Sequence, residues 1–449
     1  MTATATPVTL TREGFLQALR DSNVLTDSQF VKAVTALGDR GRSPRSAADY
    51  LVKSEFLTRF QSERLLTGRT DSFFIGPYLV LDYIGKSATG RAYKARHTTM
   101  SRLVAIKVIS TALTKSEEIR NGIRAEARAV ANLAHPNIVT LLDANQAGDR
   151  MYFVREYVDG PTLAEIVKST GPLPVNQACE YIRQAALGLQ HAHEKNAPHG
   201  KLAPTAILVG QPTKTGNNDK PLVKVSGFGL GRFTTDSSET DFNYTAPEQF
   251  QHPSCADTRA DLYSLGCVLY FLLAGRPPFS TTSGEDAAQQ HWHAQPPKIE
   301  YLRPEVPAAL SELVHTLLAK HPRQRPTSAE EVALRLGAIA EELGGAIDYS
   351  LNVLKSTSAS GSYMSGIGDE AAHEPLIAMP VEVPTSWDNI VNASETSDGT
   401  AAEDATPLGV RKRKKSAGSV NPFVLTLVIS GVMLGVLLAL LYVMRHFAN

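Results

Sequence analysis

Val104-Ala105-Ile106-Lys107 is the stretch on which the reading of this chain turns. It lies inside the run Arg102-Leu103-Val104-Ala105-Ile106-Lys107-Val108-Ile109-Ser110, whose β-branched content predicts a strand presenting its lysine from one face. Just upstream, Gly85-Lys86-Ser87-Ala88-Thr89-Gly90-Arg91-Ala92 follows another strand-like run. Glycines in such a loop let backbone N–H groups approach phosphates, although Ser87 stands where a third glycine would give more room. Just downstream, Glu126 sits on a helical segment, Ile123 to Leu133. Short β-rich runs thus come first, and longer helical periods follow to about Leu343. This order predicts a two-lobed α+β arrangement.

Further motifs extend the pattern toward the C-terminus. They are His135-Pro136-Asn137-Ile138-Val139, the hinge-like Glu156-Tyr157-Val158, Ala246-Pro247-Glu248, Asp261-Leu262-Tyr263-Ser264-Leu265-Gly266, and Pro322 through Arg325-Pro326. In this order and spacing, residues 75–340 resemble the Ser/Thr protein-kinase family, of the bacterial membrane-anchored type. The resemblance implies that Lys107 pairs with Glu126, and that ATP lies among Gly85, Ser87, Gly90, Ala105, Lys107, Glu126, Glu156, Val158 and Leu208. It also implies structural roles. His199 and Phe228 belong to an apolar spine between the lobes, Glu248 pairs with Arg325, and Asp261 braces the catalytic loop.

The pattern breaks where the chemistry should be. The family's catalytic loop reads His-Arg-Asp-Leu, then three further residues, then Asn. Here it reads His199-Gly200-Lys201-Leu202-Ala203-Pro204-Thr205-Ala206. Lys201 replaces the base, and an ammonium at neutral pH offers no acceptor. Ala203 replaces the lysine that contacts the γ-phosphate, and Ala206 replaces a metal ligand. In Gly227-Phe228-Gly229 the second metal ligand, an aspartate in the family, is Gly227. Gly200 replaces the arginine that receives an activation-loop phosphate, which removes the usual control through Thr234, Thr235, Ser237, Ser238 or Thr240. Arg155 stands at the back of the adenine pocket, where the family has an apolar residue; a long cation there fills the pocket or reaches Glu126. No catalytic residue is intact and no magnesium is expected. Lys107 and Glu126 keep two readings, contact with ATP phosphates or an ion pair that fixes the helix.

The remainder frames this domain. The chain has 449 residues, with Lys plus Arg equal to Asp plus Glu at 45 each, so no global field points to nucleic acid. Three scattered cysteines exclude a disulfide scaffold. The first residues lack the basic and apolar regions of a signal peptide. Residues 11–69 predict a helical N-terminal module with a thin core, with capping boxes at Thr26/Gln29 and Thr58/Gln61 and an apolar face of Phe30, Val31, Val34 and Leu37. Residues 349–420 predict a disordered acidic linker that ends in the basic cluster Arg411 to Lys415. Residues 423–444 are uncharged and long enough to cross about 30 Å of hydrocarbon as a transmembrane helix. The basic cluster then places residues 1–420 in the cytoplasm, with the chain crossing the cell membrane once. Gln290-His291-Trp292-His293 offers two histidines without further ligands, which reads as packing rather than metal.

The expectation is a membrane-anchored pseudokinase that serves as a signalling scaffold or allosteric partner for other signalling proteins. The alternatives are an atypical active kinase or nucleotide transferase with ATP at Lys107, and a nucleotide-gated switch without catalysis.

Overall fold

A computed structural model of the chain describes residues 10–344, apart from 71–72, 88, 148–149, 211–220, 230–241, 252–256 and 282. The acidic linker, the basic cluster, the apolar segment 423–444, Cys255 and the five hydroxyl residues between 234 and 240 lie outside the described residues. Among the described residues no helix is long and apolar enough to cross a membrane.

Four helices come first: α1 (Arg12–Asp21), α2 (Asp27–Leu37), α3 (Pro44–Lys53) and α4 (Arg59–Leu66). Each begins at a Thr or Ser whose hydroxyl accepts an N–H of the first turn, and the capping boxes at Thr26/Gln29 and Thr58/Gln61 are both formed. Phe15, Leu19, Ala33, Leu37, Leu51 and Leu65 make their core. One detail departs from the expected face of α2. Val31 is 62% exposed, whereas Ala33 and Leu37 are fully buried. Six residues separate Val31 from Leu37, which puts them about 120° apart around a helix.

A six-stranded antiparallel sheet forms the small lobe, in the order β1-β2-β3-β4-β6-β5. Its strands are β1 (Phe74–Ile75), β2 (Tyr78–Ser87), β3 (Gly90–His97), β4 (Leu103–Ile109), β5 (Leu141–Ala147) and β6 (Arg150–Glu156). Between β4 and β5 lies α5 (Glu117–Ala131), started by Ser116 and by Glu117 and Glu118 in its first turn. The sheet alternates. Tyr93, Ile106 and Val154 enter one apolar cluster, while Ile109 and Phe153 join α5 in another.

The large lobe is mostly helical. It contains α6 (Leu163–Thr170), α7 (Val175–Glu194), the small hairpin β7 (Ile207–Gly210) and β8 (Leu222–Val225), then α8 (Pro247–Gln251) and α9 (Thr258–Ala274). It ends with α10 (Gly284–His293), α11 (Ile299–Leu302), α12 (Ala308–Leu317) and α13 (Ala329–Leu343). α9 is apolar around most of its circumference and accordingly buried from Leu262 to Leu273, apart from the partly buried Phe271. Asp257 caps its start and Gly275, at φ +74°, closes its end.

The helical module packs against the small lobe. Gln61 Nε2 donates to the Val80 carbonyl at 2.8 Å while its Oε1 accepts the Thr58 N–H at 3.0 Å. The Thr58 hydroxyl donates to the Leu81 carbonyl, and the Phe60 ring meets Tyr93 edge-on at 6.4 Å. Gln61 is 2% exposed, so both bonds are made out of water. Gln61→Ala is expected to cost about 1–3 kcal/mol, read as a lowered urea midpoint; an unchanged midpoint contradicts this docking.

Candidate active site and its degenerate loops

The cleft between the lobes is roofed by β2, β3, β4 and β6. Ser87 pairs with Gly90, so the glycine loop is a tight hairpin closing β2 onto β3. Gly85 has open space around its Cα, whereas a Cβ on Gly90 would lie 1.9 Å from the Val108 carbonyl oxygen. Gly90 is therefore demanded by the close pass of β3 over β4. The Ser87 hydroxyl shares a hydrogen bond with the Thr89 hydroxyl at 3.0 Å.

Register places the roof's side chains. Ala92 opposes Lys107, Ala105 opposes Arg155, and Lys107 opposes Phe153. Directly opposed residues share a face, so Ala92, Ala105, Lys107, Phe153 and Arg155 all turn to the cleft side. Lys107 and Glu126 are each engaged by a neighbouring group.

Arg155 does not simply fill the adenine space. Its Nη2 donates to the Phe228 carbonyl at 3.3 Å, across the cleft. Burial pushes its pKa down to about 10, which still leaves a cation at neutral pH. The next residue, Glu156, also crosses to the floor. Its carboxylate meets Lys224 Nζ of β8 at 2.8 Å and accepts the Thr140 N–H at 2.8 Å. The Glu156 side chain is thus committed to structure. Val158 is half-buried beside Gly210, and Lys94 lies 4.3 Å over the Tyr157 ring at the hinge.

The floor is the loop His199 to Ala206. His199 is buried, and burial lowers its pKa, so its ring is neutral. Its Nε2 lies 2.8 Å from the Ser226 carbonyl and its Nδ1 accepts the Lys201 N–H at 3.2 Å, which assigns the proton to Nε2. The His199 ring meets Phe228 edge-on at 4.8 Å. Asp261, 1% exposed, accepts the His199 N–H and the Gly200 N–H at 2.7 Å each, and lies 2.8 Å from His193 Nε2. Gln249 donates to the Gly200 carbonyl at 2.7 Å. Pro204–Ala206 form one 3-10 turn, Ala203 is buried, and the Ala206 carbonyl accepts the Ser226 N–H at 2.8 Å. Leu208, on β7, pairs with Lys224. Lys201 is half-buried and engaged by a neighbour.

Beneath the loop, Arg325 forks onto Glu248 at 2.6 and 2.9 Å and also donates to the Ala319 and Arg259 carbonyls. Its guanidinium stacks 4.8 Å from the Tyr263 ring. Near it His291 is fully buried, with Nδ1 2.9 Å from the Tyr263 hydroxyl. Among the described residues no group of three or more His, Cys, Asp or Glu side chains is placed to hold a metal.

Three contacts were not visible in the sequence: Arg155 to Phe228, Glu156 to Lys224, and His193 to Asp261. Their partners lie 73, 68 and 68 residues away. No local signal announces a partner at such a separation.

Ala92 and Ala105 share the cleft face of the sheet and Leu208 lies on β7, while Ala206 and Gly227, at the family's magnesium-ligand positions, carry no ligand atom on their side chains. Gly227 has φ +103°, and a Cβ there would sit 3.2 Å from His199 Nε2. Restoring the family's carboxylate by Gly227→Asp is therefore expected to strain the backbone by about 1–3 kcal/mol. Its melting temperature should fall, and magnesium should not raise it again. A magnesium-dependent rise would show that one restored ligand rebuilds the site.

Residues 78–335 match the family model described as the protein kinase domain. The serine/threonine-protein kinase PrkC of Bacillus subtilis is 32% identical over 264 residues, which cover 57% of this chain and 39% of that protein. The serine/threonine-protein kinase PknB of Mycobacterium leprae is 33% identical over 267 residues, covering 57% of this chain and 42% of that protein. The chain therefore spans less than half the length of these curated relatives. A solved double mutant of the PknI kinase domain of Mycobacterium tuberculosis matches 60% of this chain and 98% of its own at 26% identity, with a TM-score of 0.49. With a two-lobed fold, the spine of His199 and Phe228, the Glu248–Arg325 pair and a domain match across more than half its length, the chain belongs to the protein kinase family, alongside the bacterial serine/threonine kinases.

Proposed function

We propose that this protein is a membrane-anchored pseudokinase, a kinase fold that works as a scaffold or allosteric partner for other signalling proteins rather than by transferring phosphate. One observation carries the proposal. The positions of the base and of both metal ligands hold Lys201, Ala206 and Gly227, while the loop that bears Lys201 is braced at His199 and Gly200 by Asp261 and Gln249. Losing a positioned base alone costs roughly 10²–10⁴ in rate. Losing the metal clamp removes several kcal/mol of charge stabilisation as well.

The competing reading is an atypical active kinase with ATP at Lys107. It draws on the retained Lys107 and Glu126 and on the relatives, which are named serine/threonine-protein kinases. Purified full-length chain incubated with radiolabelled ATP, metal and a generic protein substrate separates the two. No label above a Lys107→Ala background is expected. Transfer that Lys107→Ala abolishes would overturn the pseudokinase reading.

The apolar segment 423–444 supports a single membrane crossing, and the basic cluster before it supports a cytoplasmic position for residues 1–420. In membrane fractions the chain should resist alkaline extraction, and protease added from the cytoplasmic side should digest the kinase domain. Release by alkali would remove the anchor from the proposal.

A further inference from the structure

The loop between α5 and β5 is fastened to the large lobe through Asn137. Its Nδ2 donates to Gln184 Oε1 of α7 at 3.1 Å and to the Val223 carbonyl of β8 at 2.8 Å. Its own carbonyl accepts the Val225 N–H at 2.9 Å, and Gln184 Oε1 also accepts the Val223 N–H at 2.9 Å. Gly188 of α7 permits this approach, since a Cβ there would lie 2.6 Å from the Asn137 carbonyl oxygen. The Asn137 N–H goes to His135 Nδ1 at 3.1 Å, which assigns the His135 proton to Nε2. The His135 ring in turn stacks on His191 of α7, with centroids 5.2 Å apart and planes 26° from parallel. Both residues are half-buried, and His191 Nε2 is buried with no hydrogen-bond partner among the described residues. An imidazole pair thus sits where the loop meets α7.

We propose that the His135–His191 pair is an acid-sensitive joint, whose protonation detaches the loop from α7 and β8 and so frees the C-terminal end of α5. The charged groups facing His135 are Lys224 on β8, itself paired with Glu156 of β6, and Glu194 on α7. Burial, then His191 and then Lys224 hold His135 neutral, with its pKa below the ordinary histidine value; the exposed Glu194 opposes them more weakly. A proton on Nδ1 removes the acceptor of the Asn137 N–H. It also sets a cation against the ring stacked on it and beside Lys224. The sign follows. A histidine held neutral by the fold contributes stability that is complete above its unfolded value of about 6.5 and is lost as pH falls below it. α5 carries Glu126 and ends at Ala131, just before the joint, so a released loop unseats the end of that helix. The joint does not depend on whether the cleft transfers phosphate.

The test is amide hydrogen exchange on purified full-length chain in detergent across a pH series from about 7.5 to about 5, spanning the ordinary histidine range. Rates are corrected for the intrinsic pH dependence of exchange. Protection of Asn137, Ile138 and Val139 should be level above neutrality. Below it, the opening constant should rise by up to about tenfold for each pH unit. The buried core of α9, Leu262 to Leu273, should keep its protection throughout, which separates a local release from global unfolding. His135→Asn keeps a side-chain oxygen for the Asn137 N–H, as in an Asx turn, and removes the titrating ring. Its loop protection should not change with pH. His191→Phe keeps a ring to stack on and removes the second imidazole, so the loss should begin at higher pH; it serves if His135→Asn fails to fold. The inference is overturned if the loop's protection is level down to the lowest pH, if α9 opens in step with it, if His135→Asn shows the same fall, or if His191→Phe leaves the onset unmoved. Label transfer from ATP bears on the proposed function and loop exchange on this one, so the two fail in different assays.

Discussion

The carboxylate of Asp261 holds the shape on which the cleft depends. It is almost wholly removed from water, so each of its oxygens must be satisfied from within. The His199 and Gly200 N–H groups and the His193 ring do this. Moving the loop would orphan a buried carboxylate, which fixes the course of the loop whatever side chains it carries. Gly200 fits the arrangement at φ +77°, a conformation that a residue with a side chain adopts at a cost. Geometry and reactivity reside in different atoms here. The backbone of residues 199 to 201 is fixed from the large-lobe side by α9, whereas the side chains facing the cleft are at liberty to change.

A second constraint works from above. Arg155 and Glu156 are consecutive residues at the end of β6, and both reach the floor, one to Phe228 and one to Lys224. Side chains of adjacent strand residues leave on opposite faces, so the two contacts straddle the strand. The end of β6 is thereby held from two directions. On the floor, Gly229 closes the same region, because a Cβ there would strike Val130 of α5 at 2.7 Å. Helix, strand and turn meet with no spare volume, and a change in one is felt by the others.

The sequence was most informative where a residue type is fixed by a local rule. The capping boxes of α2 and α4 were legible because a hydroxyl and an amide three residues apart satisfy each other's backbone. Glu248, Asp261 and Arg325 were legible because their motifs recur in a family. The face of α2 was read one residue too wide, since hydrophobicity at Val31 does not say which neighbour arrives to cover it. The crossing of Arg155 was harder still. Its length and charge pointed to the cleft, but the acceptor is a backbone carbonyl, and every residue has one. Lys224 sits three residues before Gly227 with nothing to mark it, and its partner is settled only by how the lobes meet.

The contact between α4 and β2 has a consequence beyond holding the helices in place. β2 has β3 along one side, while on its other side β1 covers only Tyr78 and Leu79. The carbonyls of Val80 and Leu81 come next, and these are the acceptors taken by Gln61 and Thr58. A strand with open carbonyls invites pairing with another chain. By spending two side chains of a helix on those carbonyls, the protein turns the margin of its sheet into a finished surface. The Val80 and Leu81 carbonyls are thus already taken, and the strand of another chain would have to displace Gln61 and Thr58 to pair there.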